Sequence, residues 1–292
     1  MIKKKKDMDY IVKKDTDLTS FLLNIEGLSK NNIKSLLKYR QIAVDGRIAI
    51  RHDYPLKPNQ KVTVIRSRSR DGKRAVLFKI IYEDDELLVI DKPAGLLSIA
   101  TDKEKERTAY HLLTEYVKEK DERNRIFVVH RLDRDTSGVF VVAKNEKIKK
   151  LLQDNWSEIV QKRGYVAVVE GTLKKKEGTI RSWLKETKTH LVYSSFKEGS
   201  GDEAITDYKV LRSNRKYSLV DVDIKTGRKN QIRVHMRELG NPVVGDKMYG
   251  SGDNPIKRLA LHASELELIH PITNKKYRFR SDIPKKFMEL IK

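Results

Sequence analysis

The stretch FVVHRLDRDTSGVFVVAKN, residues 127–145, sets two carboxylates and two guanidiniums in one short loop. His130, Arg131, Asp133, Arg134 and Asp135 crowd between two apolar runs, Phe127 to Val129 and Val139 to Val142, and Thr136, Ser137 and Gly138 close the loop. Strand-forming residues on both sides predict strand, tight loop, strand. Loops on rigid strands are good places to present a reactive group. A carboxylate beside guanidiniums is held ionised, ready as a nucleophile or base. Arg–Asp pairs also brace loops with no chemistry at all, so the loop alone leaves both readings open.

Other chemistries fit this pattern less well. Asp133 and Asp135 form an Asp-x-Asp pair of the kind that holds magnesium, but the interleaved arginines oppose a divalent cation. The seven histidines (52, 111, 130, 190, 235, 262 and 270) form no close pair of the zinc-site type. There is no cysteine, hence no thiolate metal site and no disulfide framework. Neither a Gly-x-x-x-x-Gly-Lys phosphate loop nor a Gly-x-Gly-x-x-Gly fingerprint is present. The expected chemistry uses no metal, nucleotide or other small-molecule cofactor.

Charge names the class of partner. Lys and Arg number 62 against 41 Asp and Glu, a formal +21. Residues 1–76 hold 19 Lys/Arg and 8 Asp/Glu, so +11 of that excess lies in about a quarter of the chain. Such a field suits a polyanion, bound through phosphate contacts and counterion release. An anionic membrane would need an amphipathic insertion helix with large apolar residues, which the sequence lacks. No apolar run approaches the roughly 20 residues of a membrane span, and the lysines of MIKKKKDMDY are followed by no apolar core of a signal peptide. A cytoplasmic, monomeric, nucleic-acid-binding protein is expected.

The elements that position the loop follow from periodicity. At 292 residues two domains are expected. Residues 1–14 read as a basic flexible tail. Over 15–66, Leu18, Phe21 and Leu22 have helical spacing, with Gly27 as the stop. Ser29 is a candidate N-cap for a second helix with the apolar face Ile33, Leu36 and Leu37. Lys30, Lys34 and Lys38 recur every four residues and stack along one side of that helix. IAVDGRIAI then reads as a hairpin around Asp45-Gly46, and KVTVIR as a closing strand. Residues 67–78 read as a basic linker. From 79 to 292 strands and helices alternate: two strands flank Glu83-Asp84-Asp85, a Lys-Pro-Ala-Gly turn stands at 92–95, and a helix is predicted at about 109–119. Strands are predicted at 164–173 and 217–227, and a helix from about Asn230 stopped by Gly240 and Pro242. This is a mixed α+β domain.

HRLDRDTSG closely resembles the central motif of the RluA family of pseudouridine synthases, which isomerise uridine in ribosomal or transfer RNA. YEDDELLVIDKPAGL (82–96), GYVAVVEG (164–171), TGRKNQIRVHMRELGNPVVGDKMYG (226–250) and LALHASELELIHP (259–271) match further family segments in order. The resemblance covers roughly residues 79–292. The order of elements in 15–66 resembles the small RNA-binding domain named after ribosomal small-subunit protein S-four, a common companion of this family. The resemblance implies a catalytic domain with a mixed, largely antiparallel sheet, preceded by a small α/β RNA-binding domain.

It also implies roles, position by position. Asp133 would be the nucleophile, whereas Asp135 falls where no acid is required. Arg131 stands where the family handles the flipped nucleotide. Tyr165 matches the tyrosine that packs on the target base, with a possible part in removing the carbon-5 proton. Arg233 would pair with Asp133, and Leu261 would supply an apolar wall. Asn230 departs from the histidine found in many members. Lys92 and Asp246 read as turn-stabilising residues. Two other readings remain at this level: an RNA-binding or ribosome-assembly protein that has the fold without the activity, and a metal-dependent nuclease using Asp133 and Asp135.

Overall fold

The structure, a computed structural model, describes residues 8–38, 41–49, 51–65, 78–102, 104, 107–250 and 252–292, without the side chains of 35, 38, 47 and 48. The chain divides into two compact units, Met1–Ala75 and Val76–Lys292.

In the N-terminal unit the two helices run Leu18–Leu23 and Lys30–Lys38. The first is capped by Asp17, which accepts the Ser20 N–H at 3.0 Å, and the second by the Ser29 hydroxyl, which accepts the Asn32 N–H at 3.2 Å. The first helix ends earlier than its glycine suggests, with Asn24 as the C-cap and Gly27 in the turn beyond. The Asp45-Gly46 hairpin forms as expected, pairing Val44 with Arg47. The flexible-tail reading of 1–14 fails for its second half. Met8–Ile11 is a strand paired antiparallel with Lys61–Val64, and Asp9 bonds Thr63 at 2.7 Å and Lys61 at 3.1 Å. The lysine-rich composition hid a strand whose partner supplies the countercharge. The linker at 67–78 lies outside the described residues except for Phe78, which is buried in the core of the following unit.

The larger unit is built on an eleven-stranded sheet. Two neighbouring strands near one edge, Leu87–Lys92 and Ser137–Ala143, bury both faces. Phe140 and Val142 turn to one side, where the helix Ala109–Lys120 packs with Leu113 and Val117. Val139 and Val141 turn to the other, against Ile148 and Leu152 of the helix Glu146–Asp154. Helices on both faces explain why these strands are continuous apolar runs instead of alternating ones. All pairs of described strands are antiparallel except one: Ser137 and Gly138 run parallel to His262 and Ala263 of the strand Leu261–Ile269. That pair joins two antiparallel halves of the sheet. Several elements carry no clear sequence signal, among them the long strands Glu177–Glu186 and Asp202–Ser213 and the helix Lys285–Leu290.

Candidate active site

Asp133 is fixed through the backbone of its two neighbours. Ahead of it, the Ser98 hydroxyl donates to the Leu132 carbonyl at 2.6 Å and accepts the Leu132 N–H at 3.1 Å. After it, the Arg134 carbonyl accepts the Gly95 N–H at 2.8 Å and the Lys92 ammonium at 3.2 Å. Thr136 closes the turn by donating its N–H to the Asp133 carbonyl at 3.2 Å. The Lys-Pro-Ala-Gly turn thus clamps the loop it faces. Lys92 is wholly buried and also donates to the carbonyls of Pro93 and Leu96, so its role reaches beyond its own turn. Burial pulls its ammonium down to about 8, with the Asp135 and Asp133 carboxylates opposing.

His130 holds the entrance of the loop. Its ring stacks on Trp156 with centroids 5.1 Å apart, and Nε2 accepts the Val141 N–H at 3.1 Å. That contact takes up a backbone donor just where the pairing of Phe127–Val128 with Val142–Ala143 runs out. Burial, reinforced by the Arg163 guanidinium, pushes the imidazole down to about 3, so it is neutral. At the exit the Ser137 hydroxyl shares a hydrogen bond with His262 Nδ1 at 2.8 Å and accepts one from Arg258 at 2.7 Å. Gly138 is required there. A Cβ would stand 2.1 Å from the Ala263 carbonyl oxygen, and its φ of +114° already disfavours any side chain.

The loop opens on a pocket of about 380 Å³, within the range of small-ligand sites. Asp133, Arg131, Tyr165, Arg233 and Leu261 all line it, so the structure gathers the five catalytic-unit candidates in one place. Lys30 and Lys34 are exposed on their helix in the N-terminal unit, and the side chain of Lys38 lies outside the described residues. Asp135 is absent from the pocket lining and pairs with Arg134 at 3.3 Å. Leu261 is 4% exposed and begins its strand. Arg131 is exposed and makes no hydrogen bond or ion pair among the described residues. The loop arginines therefore do not brace Asp133, contrary to the expectation from their spacing.

Arg233 is the guanidinium that approaches it, with Nη1 3.8 Å from Asp133 Oδ2. Its tighter partner is another acid. Nε and Nη2 donate to the two oxygens of Asp246 at 2.7 and 2.8 Å, and Nη1 donates to Asn230 Oδ1 at 2.8 Å. Asp246 also accepts the N–H groups of Met248 and Tyr249, so it shapes its turn and holds Arg233 as well. Burial works against the Asp246 carboxylate, but Arg233 and the two amides hold it below the usual range. Asn230 takes the left-handed conformation that asparagine tolerates, with φ 56°, and its amide donates to the Tyr249 hydroxyl at 3.1 Å. The departure from histidine thus leaves this position hydrogen-bonded on both sides.

The helix bearing Arg233, Gln231–Glu238, is seated by a buried polar network. Gln231 donates to Thr206 Oγ1 at 2.9 Å, and His235 bridges Thr206 at 2.8 Å and Ser182 at 3.0 Å. The two residues are one helical turn apart and face the same strands. Burial pushes His235 down to about 4. Tyr165, on the strand Val160–Glu170, is half-buried between two core clusters. Burial pushes its phenol up to about 12, with Arg163 opposing and Asp133 adding. Sequence reasoning missed four pocket residues, Trp156, Arg163, Arg228 and Gln231; only Arg228 and Gln231 lie within a family-like segment that also carries a residue of assigned role, Arg233.

Comparison with known proteins gives the family. Residues 86–238, just over half of the chain, match the family model described as RNA pseudouridylate synthase. The chain is 38% identical over 197 residues to an uncharacterized RNA pseudouridine synthase of Bacillus subtilis, YhcT, covering 67% of this chain and 65% of that protein. It is 32% identical over 274 residues to the ribosomal large subunit pseudouridine synthase D of Borreliella burgdorferi, covering 91% and 81%. Human RNA pseudouridylate synthase domain containing 4 shares the fold at a TM-score of 0.59 and 23% identity, over 72% of this chain and 90% of that one. The chain belongs to the RNA pseudouridylate synthases of the RluA family, enzymes that isomerise uridine in RNA.

Proposed function

We propose that this enzyme isomerises uridine in ribosomal RNA, that of the large subunit ahead of transfer RNA, with Asp133 as its nucleophile. The observation that carries the assignment is that Asp133 is the only carboxylate among the described residues that line the pocket, in a loop pinned on both sides of it. The large-subunit preference rests on the relatives named for that activity, which align over most of this chain.

A uridine stacked in RNA hides its sugar carbon, so the base is flipped into the pocket. Arg131, exposed on the pocket lining and without a hydrogen-bond or ion-pair partner among the described residues, handles the extruded nucleotide. Tyr165 packs on the base, and Leu261 forms an apolar wall of the pocket that polar Asn230 and Gln231 also line. A phenol raised to about 12 stays protonated at neutral pH and offers almost no phenolate to take a proton, which favours the ring over the hydroxyl as the working part of Tyr165. Arg233 aims the Asp133 carboxylate from a position set by Asp246. The detached uracil turns and rejoins through carbon 5, an isomerisation that needs no external energy source. The N-terminal unit, S-four-like in its order of elements, recruits RNA through Lys30, Lys34 and Lys38, and the protein acts as a cytoplasmic monomer.

Mapping pseudouridines in ribosomal and transfer RNA with and without the gene tests the substrate. Asp133→Asn should abolish the modification while RNA affinity stays within about tenfold, roughly 1.4 kcal/mol. Asp135→Asn should remain active. The reverse pattern would overturn the assignment of the nucleophile.

A further inference from the structure

Two charged residues of the pocket, Arg163 and Arg228, have no part in the scheme above; Arg228 is exposed and Arg163 is half-buried. Arg163 precedes Tyr165 by two residues on the same strand, so both side chains leave the same face of the sheet. Its half-buried guanidinium lines the pocket with Asp133 and Tyr165. Among the described residues it forms no ion pair, and its side chain's one hydrogen bond is donated to the Lys225 carbonyl. Asp223, the acid that acts on it from farther off, is bonded to the Lys225 ammonium at 2.5 Å. Arg233, which also lines the pocket, donates three side-chain hydrogen bonds, two to Asp246 and one to Asn230. The fold also keeps space for Arg163: a Cβ on Gly227 would stand 2.8 Å from its Nη1. A guanidinium has five N–H donors. Half-burying it against a single carbonyl is costly unless a ligand completes the set.

We propose that Arg163 binds the carbonyl edge of the flipped uracil and stabilises the negative charge the base acquires when its bond to ribose breaks. This rests on the roles assigned to Asp133 and Tyr165 above and adds a group acting on the departing base. Phosphates are the other anions a cation here meets, but position favours the base. Arg131, Arg228 and Lys229 are exposed, where a backbone passes. Arg163 instead sits beside the tyrosine ring, at a same-face spacing of about 7 Å. A ring lying on Tyr165 would turn an edge towards the guanidinium.

The electron count shows what such a cation does. In attack at C1′, an Asp133 oxygen bonds C1′ as the C1′–N1 bond breaks, and the electron pair leaves on N1, spread over O2 and O4. After the base turns, C5 bonds C1′ and the ester electron pair returns to Asp133; C5 loses a proton and N1 gains one. If Asp133 takes the C2′ proton or adds to the ring instead, negative charge still gathers on the same carbonyl oxygens. A cation fixed in place before the reaction stabilises that charge in each route.

The test uses the full-length enzyme and a large-subunit ribosomal RNA transcript that the wild type modifies. Arg163→Met keeps the stem and removes the charge, and Arg163→Lys keeps the charge. The single-turnover rate should fall about 10²- to 10³-fold in the methionine variant, with partial recovery in the lysine variant. RNA affinity and its dependence on salt should match the wild type in both. If Arg163→Met does not fold, Arg163→Gln replaces it in the same comparison with lysine. A rate within threefold of wild type overturns the proposal. So does an unchanged rate with a salt slope flatter by about 0.7–0.9, which would make Arg163 a phosphate contact. An active Asp133→Asn variant would overturn the reading of the whole site, an outcome distinct from either of these.

Discussion

Replacing Asp246 by asparagine separates the anchor of Arg233 from its catalytic target. The Asp246 side chain is fully buried and that of Arg233 is 14% exposed. The carboxylate accepts four hydrogen bonds, two from Arg233 and two from backbone amides. Asparagine keeps the shape but turns an NH₂ group towards a guanidinium donor, and it removes the countercharge. Breaking a buried ion pair from one side costs about 3–5 kcal/mol; the residual exposure of Arg233 argues for the lower end. At about 2–4 °C per kcal/mol for a unit of this size, the melting temperature should fall by roughly 6–12 °C. A second effect follows from geometry. The freed guanidinium has another carboxylate 3.8 Å away, that of Asp133. Closing that gap ties up the nucleophile, so single-turnover rate should fall by about 10²-fold, or ~2.7 kcal/mol, with RNA affinity little changed. Urea unfolding of Asp246→Asn, Arg233→Met and the double variant closes a thermodynamic cycle, with an expected coupling of about 2–3 kcal/mol, inside the range for residues in contact. Wild-type stability and turnover in Asp246→Asn, or a coupling below ~0.5 kcal/mol, would refute the argument.

Tyr165→Phe should retain most activity and Tyr165→Ala lose it, measured as pseudouridine formed in one turnover; equal rates in both would return the residue to the core. His235 is held near 4 in the fold against an ordinary 6.5, so between those values the unfolded chain binds the extra proton and stability falls as pH drops. At pH 5 this amounts to about 2 kcal/mol, seen as a lower urea midpoint than at pH 7; His235→Asn should lose less over the same step. Deleting residues 1–75 should weaken RNA binding and flatten its salt dependence by about 0.7–0.9 for each phosphate no longer neutralised, while the rate on saturating RNA survives. Unchanged affinity at several salt concentrations would give that unit another task.

The catalytic loop was legible because its signals are local. Apolar runs flank His130 to Ser137, the second of them buried on both faces, and polar residues between two strands have to form the loop. Asp133, Tyr165, Arg233 and Leu261 came from long motifs whose order along the chain survives folding. Partnerships were harder to see. Nothing local says that Arg233 prefers Asp246 to Asp133, because that choice depends on a turn 13 residues away folding back beneath the helix. Lys92 looked like a turn residue since its three carbonyl partners are backbone atoms, which leave no trace in side-chain patterns. Arg163 was invisible for a related reason: a lysine or arginine next to a strand tyrosine normally reads as surface charge. Met8–Ile11 was hidden by composition, four lysines standing just before it.

The parallel contact between Ser137–Gly138 and His262–Ala263 joins segments 125 residues apart. Parallel strands begin at the same end, so the loop before one and Leu261 at the start of the other fall on one rim. An antiparallel pairing would send them to opposite ends of the sheet. Contacts this distant in sequence slow folding, and during synthesis this one waits until His262 and Ala263 have been made. A shortened product ending before Leu261 would carry the entire His-Arg-Leu-Asp loop yet lack the strand against which Gly138 rests. The working pocket therefore needs both segments, and a chain that bears the motif but stops before Leu261 is expected to form no pseudouridine.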